Sequence, residues 1–475
     1  MIIITDQERY PQHWPAGWAD ANLPNRRRLA RRGLTFERAF CNSSMCSPSR
    51  ATLLTGLYPT QHGVDETLIA SEGTLDQQPL RPATQNVAHV LASAGYDVQW
   101  RGKWHLSKDP TGLKSVRSPD DLDQYGFRGW LPPEGGQDAK PAHFGGSSAA
   151  NDARIAAEAV AFLDEADSRS TRPFALFVSL INPHDIMANP GLWRKDDYGE
   201  ACPGCFDQGI RLPLSVNEDL ERGFKPAAQA QSTTMWAQWL GPITGRQASL
   251  DYVNLYAFLH KESDRHIGAV LDALESRPDL HRKTIVIHLA DHGEMGLAHG
   301  GMRQKAYNAY EETIHVPFVI ANPVLFPGPS RTTALVSLID VLPTLATLAQ
   351  VPDRDRWDFR GLDLTPIIRD AVEHPQGPAA TVQDCVVFSS DERLDPDTVT
   401  APSHVRCLRE ADWKVVMYLD PDGAQEPDHE LYDLARDPFE LRNMADPRSP
   451  YFDSRKTAEM TAKLERRLAE TSVGS

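Results

Sequence analysis

The feature that most constrains this chain is a series of short, nearly unbroken apolar runs separated by helical patterns. PFALFVSLI and TIVIHLA lack the polar alternation of a half-exposed strand, so they read as strands buried on both faces. MIIIT, YDVQW and VPFVIAN read as further strands. Between them, NRRRLARRGL is an amphipathic helix closed by Gly33 and NVAHVLASAG a second closed by Gly95, while VNLYAFLHKESDRHIGAVLDAL is a long helix with apolar steps of three and four. Strands alternating with helices predict an α/β fold, with a mostly parallel sheet flanked by helices.

The rhythm breaks in two stretches, about 108–146 and 185–246, both rich in Pro, Gly, Asp and Trp. They read as loops and insertions over the sheet of a catalytic domain spanning 1–375. Past Pro366 the pattern changes. CVVFSS and WKVVMYLD alternate at short range as antiparallel strands do, and KTAEMTAKLERRLAE closes the chain as a helix. A smaller C-terminal subdomain, an antiparallel sheet plus a helix, is expected over 376–475, with its boundary near Val372 to Pro378.

Charge excludes some partners. With 65 acidic and 49 basic residues the formal charge is −16, which argues against a nucleic-acid surface or an anionic membrane as the main partner. No apolar run approaches the ~20 residues of a membrane span. The opening MIIITDQ shows no secretory signal, so a cytoplasmic location is expected. Six cysteines do not make a disulfide framework in 475 residues. Cys202 and Cys205 form a lone CxxC without a second pair, expected to be reduced or incidental.

Ligands of open α/β sheets gather beyond the carboxyl ends of the strands. MIIIT ends in Asp6-Gln7, PFALFVSLI in Asn182-Pro183-His184-Asp185, and TIVIHLA in Asp291-His292-Gly293. An Asp after a strand is usually a cap or turn former, but together these ends suggest a metal site beside an acid/base histidine. In CSPSRATLLTG, Pro48 suits the first turn of a helix and Gly56 its end. Cys46 then sits at the N-terminus, where free N–H groups and the helix dipole favour an anion, and Arg50 lies one turn along the same face. A capped helix with a buried cysteine fits that segment equally well. Lys103 and His105 follow a strand two residues apart and so point the same way. Lys305 lies in a Gly-rich turn able to bring an ammonium over the site.

CSPSRATLLTG resembles the first signature of the formylglycine-dependent (type I) sulfatase family in every defined position, and GYDVQWRGKWHL resembles the second. DHGEMGLAHGGMRQKAYNAYEETIHVPF looks like that family's metal-binding strand end and active-site lysine, and HELYDLARDPFELRNMA like its C-terminal motif. The likeness implies an alkaline phosphatase-like fold and hydrolysis of a small-molecule sulfate ester. It implies that a maturation enzyme oxidises Cys46 to formylglycine, whose hydrated gem-diol is the nucleophile. Arg50 would hold the diol hydroxyls, and Lys103, His184 and Lys305 would grip the sulfate. His105 would bond the second hydroxyl. Asp6, Gln7, Asp291, His292 and the residue at Cys46 would form the site of one divalent metal. Gln7 stands where many relatives have Asp, and His292 where many have Asn. That pattern resembles the choline-sulfatase and phosphonate-monoester-hydrolase branches. It leaves Ca²⁺ as the family default with Mn²⁺ as the alternative, since imidazole suits Mn²⁺ better. The competing readings are a phosphonate monoester or phosphodiester hydrolase using the same nucleophile, and a non-catalytic sulfate-ester binder. The Lys103/His105 pair favours sulfate. A homo-oligomer stays open. Trp130, Trp193, Trp236 and Trp239 either face an apolar leaving group or pack the insertions.

Overall fold

The computed structural model describes residues 1–69, 77–108, 121–132, 148–169, 172–191 and 204–471. The first sheet contains β1 (Ile2–Asp6), β2 (Gly33–Phe40), β3 (Asp97–Gly102), β4 (Phe174–Pro183), β5 (Val286–Ala290), β6 (His315–Val316), β7 (Phe318–Ala321) and β8 (Ser330–Ser337), in the order β3-β4-β1-β5-β7-β2-β6, with β8 beside β2. Strands β3, β4, β1 and β5 run parallel, with Ile3 opposite Val178 on one side and His288 on the other. VPFVIAN, expected as one more strand, divides into β6 and β7, and β7 runs antiparallel to both β5 and β2.

The two-residue period of a strand sorts its side chains between two cores. Ile2, Ile4 and Phe177 enter one, with Phe36, Trp100 and Leu289; Ile3, Leu176 and Val178 enter the other. The second core is closed by α2 (Ser148–Arg169) and α3 (Gly245–Glu275), through Ile155, Ala159 and Leu163 from one and Ile267, Leu271 and Leu274 from the other. Burial on both faces explains why these strands are apolar throughout. Helix α1 (Cys46–Thr55) is buried along its whole length and ends at Gly56, whose φ of 67° disfavours a side chain and where a Cβ would press on Leu342.

A second, antiparallel sheet follows the order β12-β11-β10-β9, from β9 (Cys385–Ser390), β10 (His404–Glu410), β11 (Trp413–Leu419) and β12 (Asp428–Asp433). Helix α4 (Ser454–Thr471) covers it with Met460, Leu464 and Leu468 against Val387, Leu408, Val415 and Leu431. Within the second irregular stretch, Ala227–Leu240 is helical. Cys205 is buried and disulfide-bonded, which corrects the expectation of a reduced pair; Cys202 lies outside the described residues. Among the described residues, no helix is long and apolar enough to cross a membrane.

Candidate active site

The sheet order reverses around β1, which has β4 and β3 on one side and β5 on the other. That switch point opens a crevice at the carboxyl ends of the parallel strands, and the polar residues expected there converge on it. Asp6 ends β1, Lys103 follows β3, His184 follows β4 and Asp291 follows β5. Gly102 makes the approach of Lys103 possible, because a Cβ there would run into the Ser179 carbonyl oxygen.

Helix α1 points its first residue into the crevice. Cys46 Sγ lies 3.2 Å from His292 Nε2 and 3.8 Å from Asp6 Oδ1. One oxygen or nitrogen from each of Asp6, Asp291 and His292, with Cys46 Sγ, lies within 4.8 Å of all the others, and all four residues are buried. His292 Nδ1 sits 3.0 Å from the Gly293 carbonyl and so carries the proton, which turns the Nε2 lone pair toward Cys46. Two carboxylates, an imidazole and the position of Cys46 suit a divalent cation. Gln7, the fifth residue expected in the metal site, turns its Oε1 to the Lys305 ammonium at 2.5 Å.

Arg50 is the anchor beneath this cluster. Its guanidinium donates to Asp6 Oδ2 at 2.8 Å and Asp291 Oδ2 at 2.9 Å, and to the Lys103 carbonyl and Ser179 Oγ. The fork thus fixes both carboxylates. Lys103 Nζ adds an ion pair to Asp6 Oδ2 at 2.5 Å. Burial pushes the Asp6 pKa up, but Lys103, His184, Arg50 and His292 outweigh it and hold the carboxyl well below its usual range. Burial lowers the Lys103 pKa and Asp6 and Cys46 raise it, with a net rise. Burial and Lys103 hold His105 and His184 well below the ordinary histidine range, so both are neutral bases. His105 Nε2 donates to the Leu68 carbonyl at 2.8 Å, which assigns the unprotonated nitrogen to Nδ1. Burial and Asp6 raise the Cys46 pKa, but Lys103, Lys305 and His292 turn the net shift downward.

Sequence reasoning missed the ring that holds Gln7 and Lys305. Glu294 is fully buried. It accepts from Gln7 Nε2 at 2.5 Å, Tyr252 OH at 2.8 Å, and the main-chain N–H groups of Gln304 and Gly296. Gln304 Oε1 lies 3.3 Å from Gln7 Nε2 and 3.4 Å from Lys305 Nζ. Both lie inside the stretch from Asp291 to Phe318, Glu294 three residues past Asp291 and Gln304 just before Lys305; that placement was the available signal. Gln7, His105 and Gln304 hold left-handed φ values of 64°, 62° and 66°, so backbone strain gathers around this crevice. Of the tryptophans, Trp130 and Trp236 are buried, Trp239 is half exposed, and Trp193 lies outside the described residues.

A buried cluster that could hold a metal ion, ringed by cations at the switch point of this mixed sheet, fits the alkaline phosphatase-like fold that the sequence resemblance implies. The family model described as Sulfatase matches residues 1–351, and the one described as N-sulphoglucosamine sulphohydrolase, C-terminal, matches residues 301–473. The chain belongs to the sulfatase family and is a sulfuric ester hydrolase. It is 27% identical over 482 residues to a choline-sulfatase of Rhizobium meliloti (strain 1021), covering 96% of this chain and 84% of that one. A solved 2-O GAG sulfatase superposes with a TM-score of 0.71 at 23% identity, covering 99% of this chain and 92% of its own. A phosphonate monoester hydrolase from Silicibacter pomeroyi shares the fold to the same TM-score at 20% identity, covering 99% and 95%.

Proposed function

We propose that the chain hydrolyses a small-molecule sulfate monoester through a formylglycine formed from Cys46, with one divalent metal at Asp6, Asp291, His292 and residue 46 and with Gln7 turned to Lys305. The observation that carries this reading is the seat of Cys46, at the start of a buried helix and 3.2 Å from the imidazole of His292. When bound, the metal supplies positive charge that favours an ionised nucleophile and a negative sulfuryl group.

The remaining roles belong to the chain's own side chains. The Cys46 position marks where the hydrated aldehyde presents its two hydroxyls, one of which attacks sulfur in line with the ester oxygen. Arg50 holds Asp6 and Asp291, and with them the floor against which the hydroxyls rest. Lys103 and Lys305 bring fixed positive charge to the sulfuryl oxygens, charge that is worth more in a buried site than in water. His184, neutral at rest, orients the sulfate, takes up the proton that the attacking hydroxyl releases and passes it to the departing alcohol. His105 Nδ1 accepts the proton of the second hydroxyl, which lets the carbon–oxygen bond to sulfate break and restores the aldehyde.

The Gln7/His292 pattern also favours a phosphonate monoester hydrolase as a second reading, and turnover decides between them. After co-expression with a formylglycine-generating enzyme, p-nitrophenyl sulfate and a phenyl phosphonate monoester are assayed side by side, with mass spectrometry of the Cys46 peptide. Faster turnover of the sulfate and a converted Cys46 are expected. Faster phosphonate turnover overturns the substrate class, and full activity with unmodified Cys46 overturns the nucleophile. Choline sulfate, an aryl sulfate and a sugar sulfate then form the first panel for the leaving group.

A further inference from the structure

We propose that the chain holds a second divalent-cation site, built from His299, Glu312 and Glu440 and independent of the one at Cys46. One imidazole nitrogen and one oxygen from each glutamate lie within 4.8 Å of one another, and all three residues are buried. His299 lies in the turn leading to Gln304 and Lys305, Glu312 in the helical turn Glu311–Ile314, and Glu440 just beyond β12. A cation there ties the lysine-bearing loop to the C-terminal sheet.

The independent pointer to a ligand is His299 Nε2. The His299 side chain is almost completely buried, and its ring is fixed by stacking on Tyr310 at 3.6 Å and by Nδ1 against Glu218 Oε2 at 2.7 Å. That contact makes Nδ1 a donor and turns Nε2 toward Glu312. Among the described residues Nε2 has no hydrogen-bond partner; it faces Glu312 Oε2 at 3.9 Å, too far for a hydrogen bond. Two ligand atoms on one cation, each at about 2.0–2.2 Å, stand roughly 3–4 Å apart. A divalent cation at the centre of the three side chains gives Nε2 a partner and draws one oxygen from each glutamate.

The carboxylates are also held from outside, as ligands are. Glu312 Oε1 meets His13 Nε2 at 2.7 Å, and Glu440 Oε2 accepts the Glu311 N–H at 2.8 Å. Glu440 Oε1 also faces Lys414 Nζ at 2.6 Å, and a carboxylate keeps lone pairs beyond these two contacts. One imidazole and two carboxylates suit Zn²⁺ or Mn²⁺, and the burial of all three makes the centre structural.

The test measures metal per chain by plasma mass spectrometry after stripping, reloading with Zn²⁺ or Mn²⁺ and desalting. The wild type is expected to retain one equivalent more than His299→Gln, and a chain carrying Asp6→Asn and Asp291→Asn is expected to retain one equivalent and to melt higher with added Zn²⁺. The second arm uses intact His299, so it stands even where His299→Gln fails to fold. Equal metal in the wild type and a folded His299→Gln chain overturns the proposal. So does an Asp6→Asn/Asp291→Asn chain that binds no metal, which leaves a proton or water as the occupant.

Discussion

Glu294→Gln changes almost nothing in volume and replaces one acceptor oxygen by a donor, yet it is expected to disarm the site. Glu294 Oε2 accepts the Gln7 amide at 2.5 Å, and Gln7 Oε1 in turn accepts the Lys305 ammonium at 2.5 Å. The substituted side chain sets an N–H₂ group against donors on one side. With that NH₂ in the place of Oε2, two amide nitrogens face each other. If Gln7 turns over to relieve this, its own NH₂ faces Lys305. If the new amide turns instead, Tyr252 and Gly296 lose their acceptor. Each route forfeits a hydrogen bond to a charged group, worth about 1.5–3 kcal/mol. A loss of about 2–3 kcal/mol in urea unfolding is expected, and if the same energy falls on the placement of Lys305, kcat/KM drops about 30- to 150-fold. The partner substitution isolates the cause. Gln7→Glu in the Glu294→Gln background restores an acceptor facing both the new amide and Lys305, so the double variant is expected to recover at least ~1 kcal/mol relative to additivity. Additive losses in the cycle, or Glu294→Gln within twofold of wild type, refute the reasoning.

Arg50→Lys keeps the charge but cannot span Asp6 and Asp291 as the guanidinium does; a loss of about 1–3 kcal/mol in chemical denaturation is expected, and about 3–5 kcal/mol for Arg50→Ala, which removes the shared counterion of two buried carboxylates. His62 supplies the pH dependence of the helix that carries Cys46. Its Nδ1 accepts the Val64 N–H and its Nε2 meets Thr52 Oγ1 at 3.0 Å, and burial lowers its pKa from 6.5 to about 3. The unfolded chain therefore takes a proton that the folded chain refuses between those values, so stability is full above pH 6.5 and falls as the pH drops toward 3. At pH 5 this amounts to about 2 kcal/mol, measured as the pH 7 to pH 5 change in unfolding free energy that His62→Gln lacks; an equal change in both proteins contradicts it. Chelation is expected to lower the melting temperature by setting the Asp6 and Asp291 charges against each other. Whether Mn²⁺ or Ca²⁺ restores more of the loss and of the activity identifies the better-fitting ion.

What the sequence shows and what it hides divide along the range of the interactions. The β1, β4 and β5 strands are legible because burial on both faces writes itself as an apolar run, and strand ends at a switch point then name Asp6, His184, Asp291 and His292 by position alone. Helix α2 is not. Its run SAANDARIAAEAVAFLDEADSR is alanine-rich, so its core face is written in small residues such as Ala156 and Ala159, which carry little periodic contrast. Strand β2, GLTFERAF, mixes Glu37 and Arg38 into its middle and so shows no apolar run, although five of its eight residues are buried. The antiparallel course of β7 follows from its pairing with both β5 and β2, which no local pattern records. At the site, the residues proposed to touch substrate or metal sit in short motifs, whereas the residues that orient them act across long sequence separations. Glu294 reaches Gln7 across 287 positions and Arg50 reaches Asp291 across 241. A glutamate three positions from Asp291 looks like a helix-start acid until the fold closes Tyr252, Gln304 and Gly296 around it. Only then does its full burial, with every oxygen matched by a donor, show that it sets the direction of Gln7 and, through Gln7, the position of Lys305.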